Sequence, residues 1–429
     1  MARFETLQTR AGYIPDPTTK SFVPPLYMTA GFIYDSAQDA QEIFELKKPG
    51  NIYSRLGNPT TAILEERLNA LEGGVGALTF ASGHAALVGA IVTIMQAGQH
   101  IVAGKTLYGG TINMLTYTLP RLGITTTFVN TDNPENLRAA IRPETRLIYI
   151  EVIGNPQCNL CDIDAIAAIA HDAKIPLLVD GTLATPYLYK PLDHGADLVL
   201  HSTTKYICGH GTTMGGVLID GGTFDWKNGK YPSLTEPDPS YHGIIYAEHF
   251  GNAAFITRAR TGTMRDLGGC PSPFNSFLLL QGADTLSLRM ERHTENAREL
   301  ARYLNDHPAV MRVNHPELSG SPYKHLADRD WPNGCGGLFS IELKGGRTAG
   351  AKLIDSLKLF GNVTHFADVR SMVCHPATTT HSQMSEEKME ESGISAGLVR
   401  VSAGLEHVND LIADFDQALA GLQVQVPCV

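Results

Sequence analysis

From about residue 77, short apolar runs alternate with longer stretches in which apolar positions recur every three or four residues. The short runs predict strands at Ala77–Phe80, His100–Ala103, Thr125–Val129, Arg146–Val152, Ile175–Asp180, Ala196–Lys205 and Gly215–Asp220. The longer stretches predict helices over Ala85–Met95, Asp164–Ala173 and Gly282–Asn305. An earlier helix starts at Asn58 with Pro59 in its first turn, carries Ile63, Leu64, Leu68 and Leu71 on one stripe, and stops at Gly73-Gly74. Such alternation implies the α/β class, with a mostly parallel, seven-stranded sheet covered on both faces. Later strands at Leu338–Leu343 and Leu398–Ser402 fit a smaller C-terminal α+β unit. Ligands gather at the carboxyl ends of strands in these sheets, where Ser82, Asp180 and Lys205 all fall.

The flanks of this pattern differ from its centre. Residues 1–60 are rich in turn residues and lack periodicity, as expected of an arm wrapped over a partner subunit. Residues 61–265 hold the alternating unit and residues 266–429 the smaller one. Within the first, residues 221–262 read as a long loop, and such a loop is commonly functional or an interface.

Composition narrows the class without changing the fold. The 429 residues are 43% hydrophobic and 18% charged, ordinary globular values that exclude a disordered chain. A net charge of −10 argues against nucleic-acid and anionic-membrane partners. The longest apolar stretch, Ala85–Met95, falls far short of the roughly 20 residues that cross a bilayer. The first ten residues have no apolar core of a secretory signal, so a cytoplasmic enzyme is expected. Seven scattered cysteines do not form a disulfide framework. Cys158 and Cys161 have CxxC spacing, but no second pair completes the roughly four ligands of a zinc site. No metal is expected.

Candidate chemistry centres on Lys205. An amine at a sheet edge near the Asp180 carboxylate suits a Schiff base with pyridoxal phosphate, whose ring nitrogen requires an acidic partner. Phe80-Ala-Ser82-Gly83-His84 is either an ordinary strand–helix turn or a phosphate cradle at a helix N-terminus. Ser202 and Thr204 could add hydroxyls to the same phosphate. Tyr108, before Gly109-Gly110, is either a packing aromatic or a ring laid on a planar cofactor. Asn155 could bond a ring hydroxyl. Arg400 lies inside an apolar strand and must be paired, by a structural carboxylate or by a substrate carboxylate.

These residues, in this order, resemble the Cys/Met-metabolism (cystathionine γ-synthase-like) group of fold-type I pyridoxal-phosphate enzymes, from about Phe4 to Leu422. The carriers are Gly50-Asn-Ile-Tyr53-Ser-Arg55-Leu-Gly-Asn58-Pro, Ser82-Gly83, Tyr108-Gly-Gly, Asp180-Gly-Thr182, His201-Ser-Thr-Thr-Lys205 and His375-Pro-Ala-Thr-Thr-Thr-His381. Within the group the O-acetylhomoserine sulfhydrylase branch is the most similar, on Ile43-Phe-Glu-Leu, the insert with Asp225-Trp, Arg265-Asp-Leu-Gly and Ser272–Gly282.

The resemblance implies the aspartate aminotransferase-like fold and pyridoxal 5′-phosphate as cofactor. Lys205 would hold the cofactor and then shuttle protons, Asp180 would pair with the pyridinium, and Tyr108 would stack on the ring. Ser82, Gly83, His84, Thr182, Ser202 and Thr204 would surround the phosphate and ring, with Asn155 on the ring oxygen. Tyr53 and Arg55 would reach the phosphate of a neighbouring subunit, so a homo-oligomer is implied, a tetramer built as a dimer of dimers. Arg400, with Ser371, Tyr53 and Asn155, would hold the substrate. The implied reaction is γ-replacement, with acetate leaving an O-acetylhomoserine substrate and sulfide or a thiol taking its place. Gly181, His84 and the segment 362–372 depart from the group's usual residues, which leaves a carbon nucleophile or γ-elimination open on the same scaffold. A nicotinamide dehydrogenase is disfavoured, because Gly209-His-Gly211 lacks a third glycine and follows the wrong element.

Overall fold

The computed structural model describes residues 2–379 and 394–423. The first sheet comprises β1 (Gly76–Phe80), β2 (His100–Gly104), β3 (Thr125–Val129), β4 (Thr145–Glu151), β5 (Leu177–Asp180), β6 (Leu198–His201) and β7 (Gly216–Asp220). Its seven strands lie in the order β1-β7-β6-β5-β4-β2-β3. β2/β3, β2/β4, β4/β5 and β5/β6 pair in parallel, whereas β7 runs antiparallel to both β1 and β6. The central strands are buried on both faces, which is why they read as continuous apolar runs. The register of β4 on β5 sets Glu151 beside Asp180, so two acids end neighbouring strands.

Local signals placed the helices that frame the edge. Asn58 caps the helix Pro59–Glu72 by accepting from Thr60 N at 3.0 Å, and Gly73 ends it at φ +92°. Ser82 caps the helix Gly83–Ile94 by accepting from Ala85 N at 3.1 Å.

Three expectations are corrected. First, β6 stops at His201, and Ser202–Lys205 fold into a turn closed by Lys205 N donating to Ser202 O at 3.1 Å. Thr204 Oγ1 donates to Gly215 O at 3.1 Å, so the hydroxyl competes with the strand ladder and ends it. Second, the helix expected from Gly282 is two helices, Pro273–Ala283 and Leu286–Asn305. Gly282 marks a close approach, since a Cβ there would lie 2.4 Å from Ile207 O. Third, residues 221–262 are not one long loop. They hold short helices at Pro232–Thr235, Tyr246–His249 and Ala254–Arg258, and bury Trp226, Tyr231, Tyr246 and Phe255 in the core of one sheet face. Pro232–Thr235 and Tyr246–His249 are single turns, too short to show a 3.6-residue period, whereas Ala254–Arg258 continues through the wider turn Ala259–Met264 to Leu267.

The second sheet comprises β8 (Val310–Asn314), β9 (Leu338–Leu343), β10 (Gly361–Asn362), β11 (Met372–Cys374) and β12 (Leu398–Ser402), in the order β10-β11-β12-β9-β8. Its own core includes Phe339, Ile341, Val399, Val401, Leu411 and Phe415. Contacts from β12 and residues 364–366 to Asn155 and Lys205 bring this sheet against the carboxyl edge of the first. Among the described residues, no helix is long and apolar enough to cross a membrane.

Candidate active site

A cavity of about 220 Å³ opens at that edge. Ser82, Gly83, His84 and Tyr108 line it, as do Asn155, Asp180, Thr182, Ser202, Thr204 and Lys205. Sequence reasoning had named all ten.

One end is built for an anion. The helix Gly83–Ile94 points its N-terminus at the cavity, and the N–H groups of Gly83 and His84 stand outside the helix's own i→i−4 ladder. Position 83 must be glycine, because a Cβ would lie 2.7 Å from Ser202 Cβ. The His84 ring meets the Tyr108 ring edge-on, with centroids 5.6 Å apart. A Cβ at Gly110 would strike that Tyr108 ring at 2.6 Å.

The acid end is braced from within the protein. Asp180 Oδ1 accepts from Thr182 N at 2.9 Å, and Oδ2 accepts from Tyr149 Oη at 3.3 Å. Burial raises Asp180 above the usual carboxylate range, opposed by the Thr182 hydrogen bonds. Burial, and then Asp180 itself, pushes Glu151 well above its usual value. Glu151 Oε1 accepts from Tyr108 N at 2.6 Å and so holds the aromatic in place. Thr182 Oγ1 accepts from Ser202 N at 2.8 Å and ties the two strand ends together. Gly181 also has a steric reason: a Cβ there would lie 2.6 Å from Cε1 of His201, whose Nε2 pairs with buried Glu72 at 3.0 Å.

Two cations lie together on the far side: Lys205 lines the cavity, and Arg400 sits just behind the lining residues Asn155 and Phe366. Burial, and then Arg400, lowers Lys205 to about 8. Lys205 Nζ lies 2.8 Å from His365 Nδ1 and 4.3 Å from the Phe366 ring centroid. Arg400 is buried and lies over the same ring, 4.9 Å from its centroid. Its guanidinium donates to Asn155 Oδ1 at 3.4 Å, Thr364 O at 3.0 Å and His365 O at 3.1 Å. Among the described residues no carboxylate pairs with it. A buried cation held only by neutral acceptors is a strong attractor for a bound anion.

Three named residues lie elsewhere. Tyr53 and Arg55 line a separate surface cleft with Tyr241 and Arg265, Tyr53 being 46% exposed. The Ser371 hydroxyl donates to Glu406 Oε2 at 2.8 Å and accepts from Gly404 N at 2.8 Å, so it is engaged inside the second sheet rather than lining the cavity. His381, the end of the His375 motif, lies outside the described residues. Sequence reasoning missed Glu151, His365 and Phe366. Glu151 carried a readable signal, an acid ending a buried strand as Asp180 does. Cys158 and Cys161 are buried, and desolvation pushes both thiols up to about 12, far from the thiolates a metal or redox pair requires.

The family described as Cys/Met metabolism PLP-dependent enzyme matches residues 5–420. A homocysteine synthase of Schizosaccharomyces pombe is 47% identical over 419 residues, which is 97% of this chain and 98% of that one. An O-acetyl-L-homoserine sulfhydrylase of Leptospira meyeri is 46% identical over 97% of each chain. A crystal structure from Campylobacter jejuni, described as an O-acetylhomoserine (thiol)-lyase, is similar with a TM-score of 0.95 at 37% identity. That match covers 98% of this chain and 100% of the other, which carries N'-pyridoxyl-lysine-5'-monophosphate.

Proposed function

The chain belongs to the Cys/Met metabolism PLP-dependent enzymes, with their fold-type I architecture, and from that premise we propose a specific reaction. It performs γ-replacement on O-acetyl-L-homoserine, releasing acetate and adding sulfide or a thiol to give homocysteine or methionine. The observation that carries this reading is Arg400, a buried cation without a carboxylate, set on the same aromatic ring as the Lys205 amine. It offers an α-amino acid a carboxylate site beside a base. The choice of O-acetylhomoserine is supported by relatives of that name at 44–46% identity over nearly the whole chain.

The residues present fit pyridoxal phosphate. An amine lowered to about 8, a buried acid, an aromatic and a glycine-bounded helix N-terminus surround one cavity. When bound, the cofactor supplies an aldehyde for Lys205 and a ring that withdraws electrons from the substrate Cα. Asp180 would face the ring nitrogen, Tyr108 would cover the ring, and Asn155 would hold its oxygen. The N–H groups of Gly83 and His84 and the Ser202 hydroxyl would hold the phosphate end, while Thr182 braces Asp180 and Thr204 gives its hydroxyl hydrogen to Gly215 O. Arg400 grips the α-carboxylate and so aims Cα at Lys205 Nζ, which takes its proton. An amine near 8 is neutral often enough at physiological pH to do so.

The exposed cleft of Tyr53 and Arg55 supports a role across a subunit boundary, in a cytoplasmic homotetramer with two residues donated to each neighbouring site. The reading divides the chain into an arm (1–60), a cofactor domain (61–265) and a C-terminal domain (266–429). Ser371 would act on the substrate only through the backbone it positions.

The test is a product assay with O-acetylhomoserine, O-succinylhomoserine, O-acetylserine and methionine, each with and without sulfide, methanethiol and a carbon nucleophile. Acetate release from O-acetylhomoserine only when sulfide or thiol is present is the expected result. Release without any nucleophile would instead mark γ-elimination.

A further inference from the structure

His365 is partly buried, and its ring is fixed by its backbone. Arg400 donates to the carbonyls of Thr364 and His365, at 3.0 and 3.1 Å. Two residues on, Ala367 sits at φ +66°, a conformation alanine adopts only when held, and its N–H donates to Ser402 Oγ at 2.9 Å. Val369 N then donates to Gly209 O at 2.8 Å. The segment is therefore pinned to β12 on one side and to the chain just after the Lys205 turn on the other, which keeps its backbone beside the amine.

The groups facing His365 are Lys205, Arg400, Asp368 and Arg370, and Asp368 is already paired with Arg370 at 2.7 Å. Burial, and then the Lys205 charge, holds the imidazole down at about 4. Both causes favour the neutral imidazole, which has one nitrogen free to accept. A lysine amine has N–H groups and one lone pair, and nothing in its own chain fixes the rotation about its last bond. An acceptor that takes one hydrogen fixes it.

We propose that His365 is the positioning residue of the Lys205 amine: Nδ1 accepts one amine hydrogen and turns the nitrogen lone pair into the cavity. The inference rests on the function proposed above. It accounts for the direct 2.8 Å contact between the catalytic amine and a segment that departs from the group's usual residues.

The test uses the full-length protein stripped of cofactor, comparing wild type with H365L, H365N and H365A. Pyridoxal phosphate is added across a pH series, and capture at Lys205 is timed by borohydride trapping. Binding of pyridoxine 5′-phosphate, which has an alcohol in place of the aldehyde, is measured in parallel. In wild type the capture rate should climb through pH about 8 as Lys205 loses its proton. H365L should capture about tenfold more slowly, the order set by one lost hydrogen bond, with pyridoxine phosphate affinity unchanged. Its midpoint should move down, because a buried ammonium has lost its acceptor. H365N, which keeps an acceptor oxygen, should return to within about threefold of wild type. H365A replaces H365L should that variant fail to bind pyridoxine phosphate. Wild-type rate and midpoint in the leucine or alanine variant would overturn the proposal. Absence of any adduct in wild type would instead sink the proposed function.

Discussion

On the wall supplied by the seven-stranded sheet, the polar groups that matter have partners inside the protein. Glu151 holds Tyr108 N, Asp180 is bonded by Thr182 and Tyr149, Thr182 holds Ser202 N, and Thr204 is tied to Gly215. On the wall supplied by the second sheet, Arg400 has only carbonyl and amide acceptors and His365 Nε2 has no partner among the described residues, while His365 Nδ1 reaches the Lys205 amine across from the first sheet. The first wall is a finished scaffold that fixes geometry. The second holds positive charge out of water without a matching anion, a cost that a bound carboxylate removes. Rigid orientation and substrate attraction are thus assigned to different sheets.

Replacing a residue on each wall sharpens that contrast. R400M removes the carboxylate grip, and should lower kcat/KM by about 3 kcal/mol, roughly 100-fold, the scale of charged hydrogen bonds lost in the transition state. The same change removes a buried charge but also its hydrogen bonds to Asn155, Thr364 and His365, opposing effects, so the melting temperature of the cofactor-free protein should change far less than kcat/KM. Steady-state kinetics and thermal unfolding of one variant read both. A fall in stability as large as the fall in kcat/KM would make Arg400 a structural residue and erase the difference between the walls. G181A probes the scaffold: its Cβ would fall 2.6 Å from His201 Cε1, beside the buried Glu72–His201 pair. Urea unfolding should show a loss of about 1–3 kcal/mol, the usual range for overpacking. An unchanged midpoint would mean that this wall is looser than its contacts imply.

The scaffold is largely legible in the sequence. Strands buried on both faces read as apolar runs, Asn58 and Ser82 announce helix starts, and Asp180 is an acid where a buried strand ends. Arg400 also stood out, as a charge inside an apolar strand, although its lack of a carboxylate partner could not be read. The rest depends on long-range contact. His365 meets Lys205 across 160 positions of chain, and no local period or spacing marks such a pair. Gly282 looked like the start of a helix because its real reason, the backbone of Ile207 and Cys208 pressed against it, lies in another element. Ser371 looked like a substrate contact from its place in the group's pattern, but Glu406 and Gly404 engage its hydroxyl.

The account stands on the amine of Lys205 as the cofactor's anchor. The direct measurement is to load the protein with pyridoxal phosphate, reduce it with borohydride, and map the modified peptide by mass spectrometry, with K205A alongside. One pyridoxyl group on Lys205, and none in K205A, is the predicted result. Label on another lysine, or a K205A variant that still releases acetate at the wild-type rate, would contradict it.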